Sequence, residues 1–280
     1  MSRRLPYLLN LPIFLIYCIV VIIPLAWAVY LSFNYVGLNL EPSFAGLKNY
    51  LQLLTDPYFS NALNASIIFV AGSVAGQFLL GLVMAVLLNE GVKGTDFFRT
   101  TFMVTMALSD AVVGYAWYIL LNDNGVVNGF LSALSLPPIL WLSEPNIAIF
   151  SMLVANIWFG GSFAMIILET GLKSIPREIY ESASVDGASH VQKFRWMTLP
   201  LVKPFVATCL TTITILTFNY FGLIFVLTGG GPLHATEVVP LFMWNLAFEF
   251  GDFGYGAAVG VFAIIVNVIA ILAYRRLLRR

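Results

Sequence analysis

Long apolar stretches alternate with short polar segments along the chain, and their lengths predict membrane-spanning helices. An α-helix rises about 1.5 Å per residue, so roughly 20 residues are needed to cross a hydrocarbon core about 30 Å thick. The apolar runs long enough to do so are 8–33, 62–89, 101–122, 146–170, 201–227 and 254–274. The pattern therefore predicts an all-α integral membrane protein with about six transmembrane helices.

Composition agrees with this prediction. The 280 residues are 60% hydrophobic and only 10% charged, and their mean hydropathy is +0.89. A soluble domain of this length could not cover so apolar a chain with polar surface, so that class is excluded. No Pro-, Ser- or charge-rich linker divides the sequence, and no short-period repeat is evident. We therefore expect a single transmembrane domain, 1–280.

Basic residues orient the helices, because they tend to stay on the cytoplasmic side of membrane spans. With a cytoplasmic N-terminus, Lys48 is the only one of the 14 Lys and Arg residues in an outer segment. The other 13 lie in cytoplasmic segments: Arg3, Arg4, Lys93, Arg99, Lys173, Arg177, Lys193, Arg195, Lys203, Arg275, Arg276, Arg279 and Arg280. Both termini are therefore predicted to be cytoplasmic.

A cleaved signal peptide is an alternative interpretation of the first run. Arg3 and Arg4, an apolar stretch and then Ala26-Trp27-Ala28 imitate a charged start and a small-x-small cleavage site. The apolar stretch is longer than a usual signal core, and cleavage would leave five spans with the C-terminal arginines outside. A retained first span is favoured, and whether the run is ever processed stays open.

The polar segment between the fourth and fifth spans, residues 171–200, has an ordered pattern. Its fixed positions are Glu181, Ala183, Asp186, Gly187, Ala188, Leu199 and Pro200. In these positions the segment resembles the EAA loop of the inner-membrane permeases of bacterial ABC importers, and we therefore call residues 171–200 the coupling loop. Ser182 and Met197 stand where that family usually has Ala and Ile, and both replacements are small or apolar.

This resemblance implies a fold, a mechanism and partners. The fold would be that of a type I ABC importer permease, with no catalytic or metal site of its own. The loop, with Ser182 among its contact residues, would be the coupling helix that docks in a cleft on a separate ATPase. The sequence contains no G-x-x-x-x-G-K-[ST] phosphate cradle, so ATP and Mg²⁺ would bind to that partner.

The implied complex lies in a prokaryotic inner membrane. The implied partners are a second homologous permease, two copies of the ATPase and an extracytoplasmic substrate-binding protein. The lipid bilayer surrounds the permeases, and no nucleic acid takes part. The competing interpretation of residues 171–200 is an ordinary amphipathic inner loop. The ordered spacing of Glu181, Gly187 and Leu199-Pro200 favours the coupling helix.

The coupling loop also suits a short helix on physical grounds. Pro176 fits a first helical turn, and Glu178 and Glu181 place negative charge near the positive end of the helix dipole. Gly187 tolerates the positive φ that ends many helices. We expect Ile179, Tyr180 and Ala183 to form a face that sits in a groove on another protein, with Glu181 and Asp186 accepting hydrogen bonds. A second turn or two, 189–196, would precede Leu199-Pro200.

Outer segments carry weaker similarities. Gly230, Gly231 and Pro232 lie in a Leu-Thr-Gly-Gly-Gly-Pro stretch at the outer end of the fifth span, and Phe253-Gly-Tyr-Gly-Ala-Ala258 opens the sixth. With residues 46–64 they are similar to the carbohydrate-uptake subfamily of these permeases, of the maltose-system type. We expect Gly230, Gly231 and Pro232 to form an outer loop or a docking point for the binding protein.

Polar and aromatic residues within the spans are candidates for contact with the solute. Asp110 shares a helix face with Trp117 and Tyr118, and Asn156 shares one with Phe159, whereas Trp158 points away from both Asn156 and Phe159. Asn219, Tyr220 and Phe221 form a polar and aromatic cluster in the fifth span. Aromatic rings stack on sugars and polar groups pair with their hydroxyls. Each residue could instead mark a membrane interface or bond between helices.

Several functions fit these residues to different degrees. The outer halves of the spans hold no Lys or Arg, which favours a neutral solute such as a sugar or oligosaccharide. A permease for a glycerol-phosphate-type or other small polar solute is the alternative, since helix ends can also hold anions. A secondary transporter would need paired buried acids or histidines, and Asp110 is nearly alone. A membrane-embedded enzyme would need a clustered nucleophile, metal or acid/base pair, and none stands out.

Overall fold

The chain is described by a computed structural model that covers residues 5–89 and 94–278. Among the basic residues used above for orientation, those outside the described residues are Arg3, Arg4, Lys93, Arg279 and Arg280. The described chain is almost entirely helical. Its one pair of strands is β1, Asn34–Tyr35, and β2, Ser43–Phe44, antiparallel with Asn34 opposite Phe44. The predicted all-α class is therefore confirmed.

The helices follow one another with short connections. They are α1 Leu5–Tyr17, α2 Ile23–Ser32, α3 Lys48–Thr55, α4 Pro57–Asn89, α5 Thr95–Met103, α6 Asp110–Leu121, α7 Val126–Ala133, α8 Pro145–Lys173, α9 Arg177–Val185, α10 His190–Lys193, α11 Leu199–Phe218, α12 Gly222–Leu227, α13 Val239–Trp244 and α14 Phe253–Leu278. Wider π-type turns lie at Cys18–Ile22, Phe194–Thr198 and Asn245–Glu249, and a 3₁₀ turn at Val104–Ala107.

Five helical segments in the described ranges are long and apolar enough to cross a membrane. They are Asn10–Ser32, Pro57–Asn89, Pro145–Lys173, Val191–Phe218 and Phe253–Arg276. A sixth candidate is a bent pair, Thr95–Ala107 with Asp110–Ala133, whose axes differ by 104°. The number of spans therefore agrees with the prediction of about six.

The third predicted span, 101–122, is wrong as one continuous helix. The 3₁₀ turn ends at Ala107, and α6 begins anew at Asp110. Ser109 is in extended conformation, and its hydroxyl oxygen accepts a hydrogen bond from the Val112 N–H at 3.4 Å, as an N-cap does. The polar pair that interrupts this run therefore starts a second helix in a new direction.

The fifth predicted span, 201–227, is wrong at both ends. It begins earlier, because α10, the π-type turn and α11 run on from His190 without a break and include the predicted second turn. Pro200 lies in the first turn of α11. Because proline has no backbone N–H, it cannot donate a hydrogen bond to a carbonyl of the preceding π-type turn. The helix also stops at Phe218, since the Asn219 side chain bonds back to the Ile215 carbonyl at 2.7 Å.

Contacts divide the chain into two compact units, and the first contains Met1–Ser60 and Phe242–Ile265. Within it, the buried Asn49 amide donates to the carbonyls of Ser32 and Asn34 at 2.9 and 3.0 Å. The Tyr255 hydroxyl donates to Asp56 Oδ2 at 2.8 Å. Asn49 of α3 thus fastens the connection that follows α2, and Tyr255 of α14 fastens the residue that ends α3.

The second unit contains Asn61–Leu241 and Val266–Arg280. Its apolar core joins three long helices, α4, α8 and α11. Fully or almost fully buried members include Ala85, Met165, Leu168 and Ile213. The candidate functional groups described below lie in this unit, around that core. The prediction of a single transmembrane domain, 1–280, stays a prediction.

Candidate functional site

The coupling loop contains the expected short helix, α9, and its end is well defined. Gly187 has a φ of 77°, as predicted from its sequence position. The Gly187 N–H donates to the Ser184 carbonyl at 3.1 Å, and the Ala188 N–H donates to the Ala183 carbonyl at 2.9 Å. This pair of bonds is the Schellman arrangement, which satisfies carbonyls at the end of a helix. The elbow after α9 is therefore fixed by the local backbone.

One face of α9 packs against its own chain. Ala183 is only 1% exposed, and Ile179 and Tyr180 pack against the core cluster of the second unit. The Tyr180 hydroxyl lies 2.9 Å from the Thr198 hydroxyl, just before α11. Ala183 is therefore covered within its own chain, whereas Ile179 and Tyr180 are half-buried. The expectation that these two side chains contact another protein stays a prediction.

The opposite side of the coupling loop is exposed. Glu181, Ser182 and Asp186 are exposed, and so are three large apolar side chains: Val185 at 88%, Val191 at 74% and Trp196 at 71%. A cleft of about 330 Å³ lies at the elbow, lined by Asp186, Gly187, Ala188, Gln192, Trp196 and Met197. Leu199 and Pro200 are also exposed. Exposed apolar groups rimmed by acids mark a surface suited to binding a partner.

The breaks in the third and fifth spans meet each other, and we call this meeting point the membrane junction. The Gly222 N–H, at the start of α12, donates to Asp110 Oδ2 at 2.9 Å, and Asp110 Oδ1 accepts from the Ala111 N–H at 2.9 Å. A Cβ at Gly222 would lie 2.7 Å from Asp110 Oδ1. A Cβ at Gly114 in α6 would lie 2.6 Å from the Leu223 carbonyl oxygen. Asp110 thus accepts a hydrogen bond from the first N–H of α12, which has no carbonyl partner within its own helix.

The other predicted solute-contact residues gather into aromatic and amide pairs. Their partners are Trp117 with Trp158, ring centroids 6.1 Å apart, Tyr118 with Tyr115 at 6.4 Å, Tyr220 with Phe159 at 5.7 Å, and Phe221 with Phe225 at 5.1 Å. Asn219 is exposed, and its amide donates to Asn267 Oδ1 at 3.2 Å. Trp158 contacts α6 while Phe159 contacts the fifth-span break, so these neighbours lie on different faces as predicted.

Asn156 is not part of these pairs, and its side chain is fully buried. Neither of its side-chain polar atoms has a hydrogen-bond partner within the part of the chain that the structure describes. Its backbone carbonyl accepts from the Gln77 amide at 3.3 Å, and the same amide lies 3.3 Å from the Thr217 hydroxyl. Asn156, Gln77 and Thr217 therefore form a buried polar contact between α8, α4 and α11, and Asn156 does not line an open path here.

Sequence reasoning missed Gln77, although an amide inside the apolar run 62–89 was a usable signal. It also missed an ion cluster at the C-terminal end of α8. Glu169 accepts from Arg99 Nη2 at 2.6 Å and from Arg99 Nε at 3.1 Å, and Lys173 Nζ lies 2.9 Å from it. An acid near the end of the fourth run was the signal for this cluster.

The outer turn at Gly230, Gly231 and Pro232 is held by hydroxyl groups. The Thr228 and Thr236 hydroxyls lie 2.7 Å apart, and Thr236 donates to the Gly231 carbonyl at 2.7 Å. Gly230 is buried with a φ of 86°. Within residues 5–89 and 94–278, no group of three or more His, Cys, Asp or Glu side chains could hold a metal ion. The outer turn is thus fixed by hydrogen bonds among its own residues, and its extracytoplasmic position stays a prediction.

Comparison with known proteins assigns the chain to a family. The model of one family, the binding-protein-dependent transport system inner membrane component, matches residues 77–280. The chain belongs to this family. It is a multi-pass membrane permease subunit of an ABC transporter and is not itself an enzyme.

Two curated relatives resemble the permease over nearly its whole length. The trehalose/maltose transport system permease protein MalF of Thermococcus litoralis is 32% identical over 275 residues, 98% of this chain and 93% of that protein. The sulfoquinovosyl glycerol transport system permease protein SmoG of Agrobacterium fabrum is 31% identical over 282 residues, 99% and 91% respectively. The sequence resemblance therefore extends well beyond the coupling loop.

Solved structures give the fold of the permease. A bacterial ABC transporter that imports the acidic polysaccharide alginate contains a chain that matches with a TM-score of 0.87 and 23% identity, covering 99% of this chain and 95% of that one. The MetNI methionine transporter matches with a TM-score of 0.58 and 16% identity, covering 80% and 97%. The permease has the type I ABC importer fold.

Proposed function

We propose that the permease forms half of the pathway by which a sugar or oligosaccharide is imported through a prokaryotic inner membrane. The observation that carries the solute class is the identity of 31–32%, over nearly the full chain, to permeases named for trehalose/maltose and sulfoquinovosyl glycerol transport. The other half of the pathway comes from a second homologous permease. An extracytoplasmic binding protein delivers the solute.

The residues around the fifth-span break supply groups that suit a sugar. The exposed Asn219 and its neighbour Asn267 offer amide donors and acceptors, and the Tyr220 and Phe159 rings lie close by. Asp110 holds the break in place through the Gly222 N–H, so its role is to shape the path. A sugar is bound by polar groups that pair with its hydroxyls and by aromatic rings that stack on its faces. A small number of well-placed polar groups is enough to fix the orientation of such a ligand in its pocket.

The coupling loop supplies the contact with the ATPase. Val185, Val191 and Trp196 leave apolar surface exposed around the elbow cleft that Asp186 and Trp196 line, and a free subunit gains by covering such surface. Two copies of the ATPase bind ATP and Mg²⁺, one against each permease. Ser182, Gly187, Leu199 and Pro200 are exposed in the same loop, and Ala188 is half-buried. Ala183 contributes from within, by seating α9 on the core.

Purification from native membranes tests the ATPase contact. A tagged permease in mild detergent is expected to bring down a nucleotide-binding subunit, identified by mass spectrometry. Val185→Asp is expected to reduce its recovery strongly, because a charge replaces an apolar anchor. Val126→Asp is the matched control, since Val126 is also an exposed valine but lies in α7. Equal recovery from the two variants would contradict the proposed docking surface.

Ligand binding by the separately purified substrate-binding protein of the same transporter tests the solute class. Neutral oligosaccharides such as maltose or trehalose are expected to raise its melting temperature, and glycerol phosphate is not. The opposite result would select the alternative, a permease for a glycerol-phosphate-type solute. Asn219→Ala in the permease is then expected to lower uptake of the identified ligand while leaving ATPase recovery unchanged.

A further inference from the structure

The ion cluster at the end of α8 is built around a buried carboxylate. The Glu169 side chain is 6% exposed, and Arg99 Nη2 and Nε donate to it at 2.6 to 3.2 Å. Lys173, one turn later in α8, adds a contact of 2.9 Å. Asp96 binds the outer side of Arg99 at 2.7 Å but is 94% exposed. Glu169 therefore joins α5 to α8 through a forked, charge-assisted contact that fixes orientation.

A second bond ties the same two segments. The Thr105 hydroxyl donates to the Ser162 hydroxyl at 3.0 Å, and both residues are buried. Thr105 lies in the 3₁₀ turn that continues α5, and Ser162 lies two turns before Glu169 in α8. Two bonds along one pair of segments resist both sliding and rotation. The first arm of the bent third span is thus fastened along α8.

The Arg99–Glu169 and Thr105–Ser162 contacts lie between α9 of the coupling loop and the membrane junction. Lys173 ends α8, and α9 begins four residues later at Arg177. At the other end, the segment from Thr95 to Ala107 leads within three residues to Asp110, which binds Gly222 in the fifth-span break. A displacement of α9 can therefore reach the junction along α8 and α5 through contacts given above.

We propose that Glu169 is a positioning residue that makes α5 follow the coupling helix during the transport cycle. The proposal rests on the proposed function, because it assumes that an ATPase moves α9. A buried carboxylate without its arginine is costly, and an arginine without its carboxylate loses its fixed direction. With the cluster intact, α5, α8 and α9 move as one body. Without it, the cytoplasmic end of α5 is free to lag behind.

The test measures the distance between spin labels on α5 and α9 by pulsed electron paramagnetic resonance. Labels are placed at Thr101→Cys and Arg177→Cys, both exposed positions, after Cys18→Ala and Cys209→Ala remove the native thiols. The complex with its ATPase is measured without nucleotide and after trapping with ATP and vanadate. We expect the same label distance in both states for the otherwise unchanged chain, and a different distance in each state for Glu169→Gln.

Matched variants separate this role from simple stabilisation. Asp96→Asn makes the same carboxylate-to-amide change on the exposed side of Arg99 and is expected to keep one distance in both states. Arg99→Lys keeps the charge, loses the fork and is expected to give an intermediate change, and it serves if Glu169→Gln fails to fold. Loss of stability alone lowers yield in both states without a state-dependent distance.

The outcomes distinguish failure of the inference from failure of the proposed function. An ATPase that does not co-purify with the unchanged chain contradicts the proposed function. If it does co-purify, a constant distance in Glu169→Gln and Arg99→Lys overturns the positioning role. A distance that already differs between states in the unchanged chain overturns it as well.

Discussion

The coupling loop and the membrane junction both depend on glycine, but for different physical reasons. At Gly187 in the coupling loop the backbone has a φ of 77°, and a Cβ would meet no described atom within 4 Å. At Gly114 in the junction the backbone is ordinary helix, and a Cβ would lie 2.6 Å from the Leu223 carbonyl oxygen. The first glycine is needed for conformation and the second for space. The loop is therefore determined locally, whereas the junction is determined by tertiary contact.

The largest effect is expected from Gly114→Leu, which tests the demand for space. The added side chain would enter the backbone of α12, which cannot move aside as a flexible side chain can. Overpacking a buried site typically costs 1–3 kcal/mol, and we expect a loss of about 3 kcal/mol or more here. A fluorescence-monitored thermal melt of the purified permease in detergent measures it.

The matched control for this substitution is Gly129→Leu in α7. Gly129 is also a helical glycine, but a Cβ there would meet no described atom within 4 Å. Since leucine has the better helix propensity, the melting temperature is expected to stay the same or rise slightly. A comparable loss of stability in both variants would show that helix conformation, and not close approach, determines the need for Gly114.

The next effect is expected from Asp110→Ala, which removes the acceptor of the Gly222 N–H. Leaving a backbone donor unpaired costs about 1–3 kcal/mol where water is excluded. Asp110→Asn keeps an oxygen at the same place and is expected to retain most of the stability. Thermal melts of the two variants in the same detergent give the comparison. An asparagine variant as unstable as the alanine variant would mean that the charge, and not the backbone bond, matters.

The contrast between loop and junction also explains what the sequence could predict. The end of α9 at Gly187 follows from neighbouring residues, and it was predicted correctly. The breaks at Ser109 and Asn219 occur at polar positions that the sequence displays, but the size of the bend at Ser109, 104°, does not follow from them. The bond between Asp110 and Gly222 joins residues 112 positions apart, so only the fold brings them together. Span counting from hydropathy treats such runs as continuous, so it gave the right number of spans and the wrong continuity.

Burial was the other quantity that the pattern left undetermined. Ala183 was assigned to the ATPase contact and Asn156 to the solute pathway, yet both side chains are buried within the chain. A helix pattern shows which residues share a face but not which neighbour covers that face. The Glu169 cluster was missed for the same reason, because Arg99 and Glu169 are 70 positions apart and only the fold brings them together.

A smaller effect on stability is expected from Gly187→Val, which tests the demand for conformation. A left-handed backbone costs a residue other than glycine roughly 1–2 kcal/mol, and no steric clash is added. Recovery of the ATPase is expected to fall more than the melting temperature, because the elbow orients the exposed surface. Gly187→Asn is the control, since asparagine tolerates this conformation better. If asparagine reduced recovery as much as valine, backbone conformation would not be the cause.

The smallest effect is expected from Tyr180→Phe, which removes one hydrogen bond and keeps the packed ring. The Tyr180 hydroxyl lies 2.9 Å from Thr198, whose own hydroxyl also contacts the Lys193 carbonyl at 3.4 Å. Because Thr198 keeps a partner, the loss should lie near the low end of the usual range of about 0.5–1.5 kcal/mol. Thermal melts measure this loss, and ATPase recovery is measured on the same samples.

Tyr115→Phe is the matched control, because Tyr115 is exposed and its hydroxyl bonds to no described residue. It should change neither stability nor ATPase recovery. If Tyr180→Phe lowers recovery beyond its small thermal loss, the bond to Thr198 holds α9 at the angle that the ATPase needs. If both variants behave alike, the buried Ala183 face alone seats the helix. The coupling loop would then depend on packing as fully as the membrane junction does, and the contrast between them would be limited to Gly187.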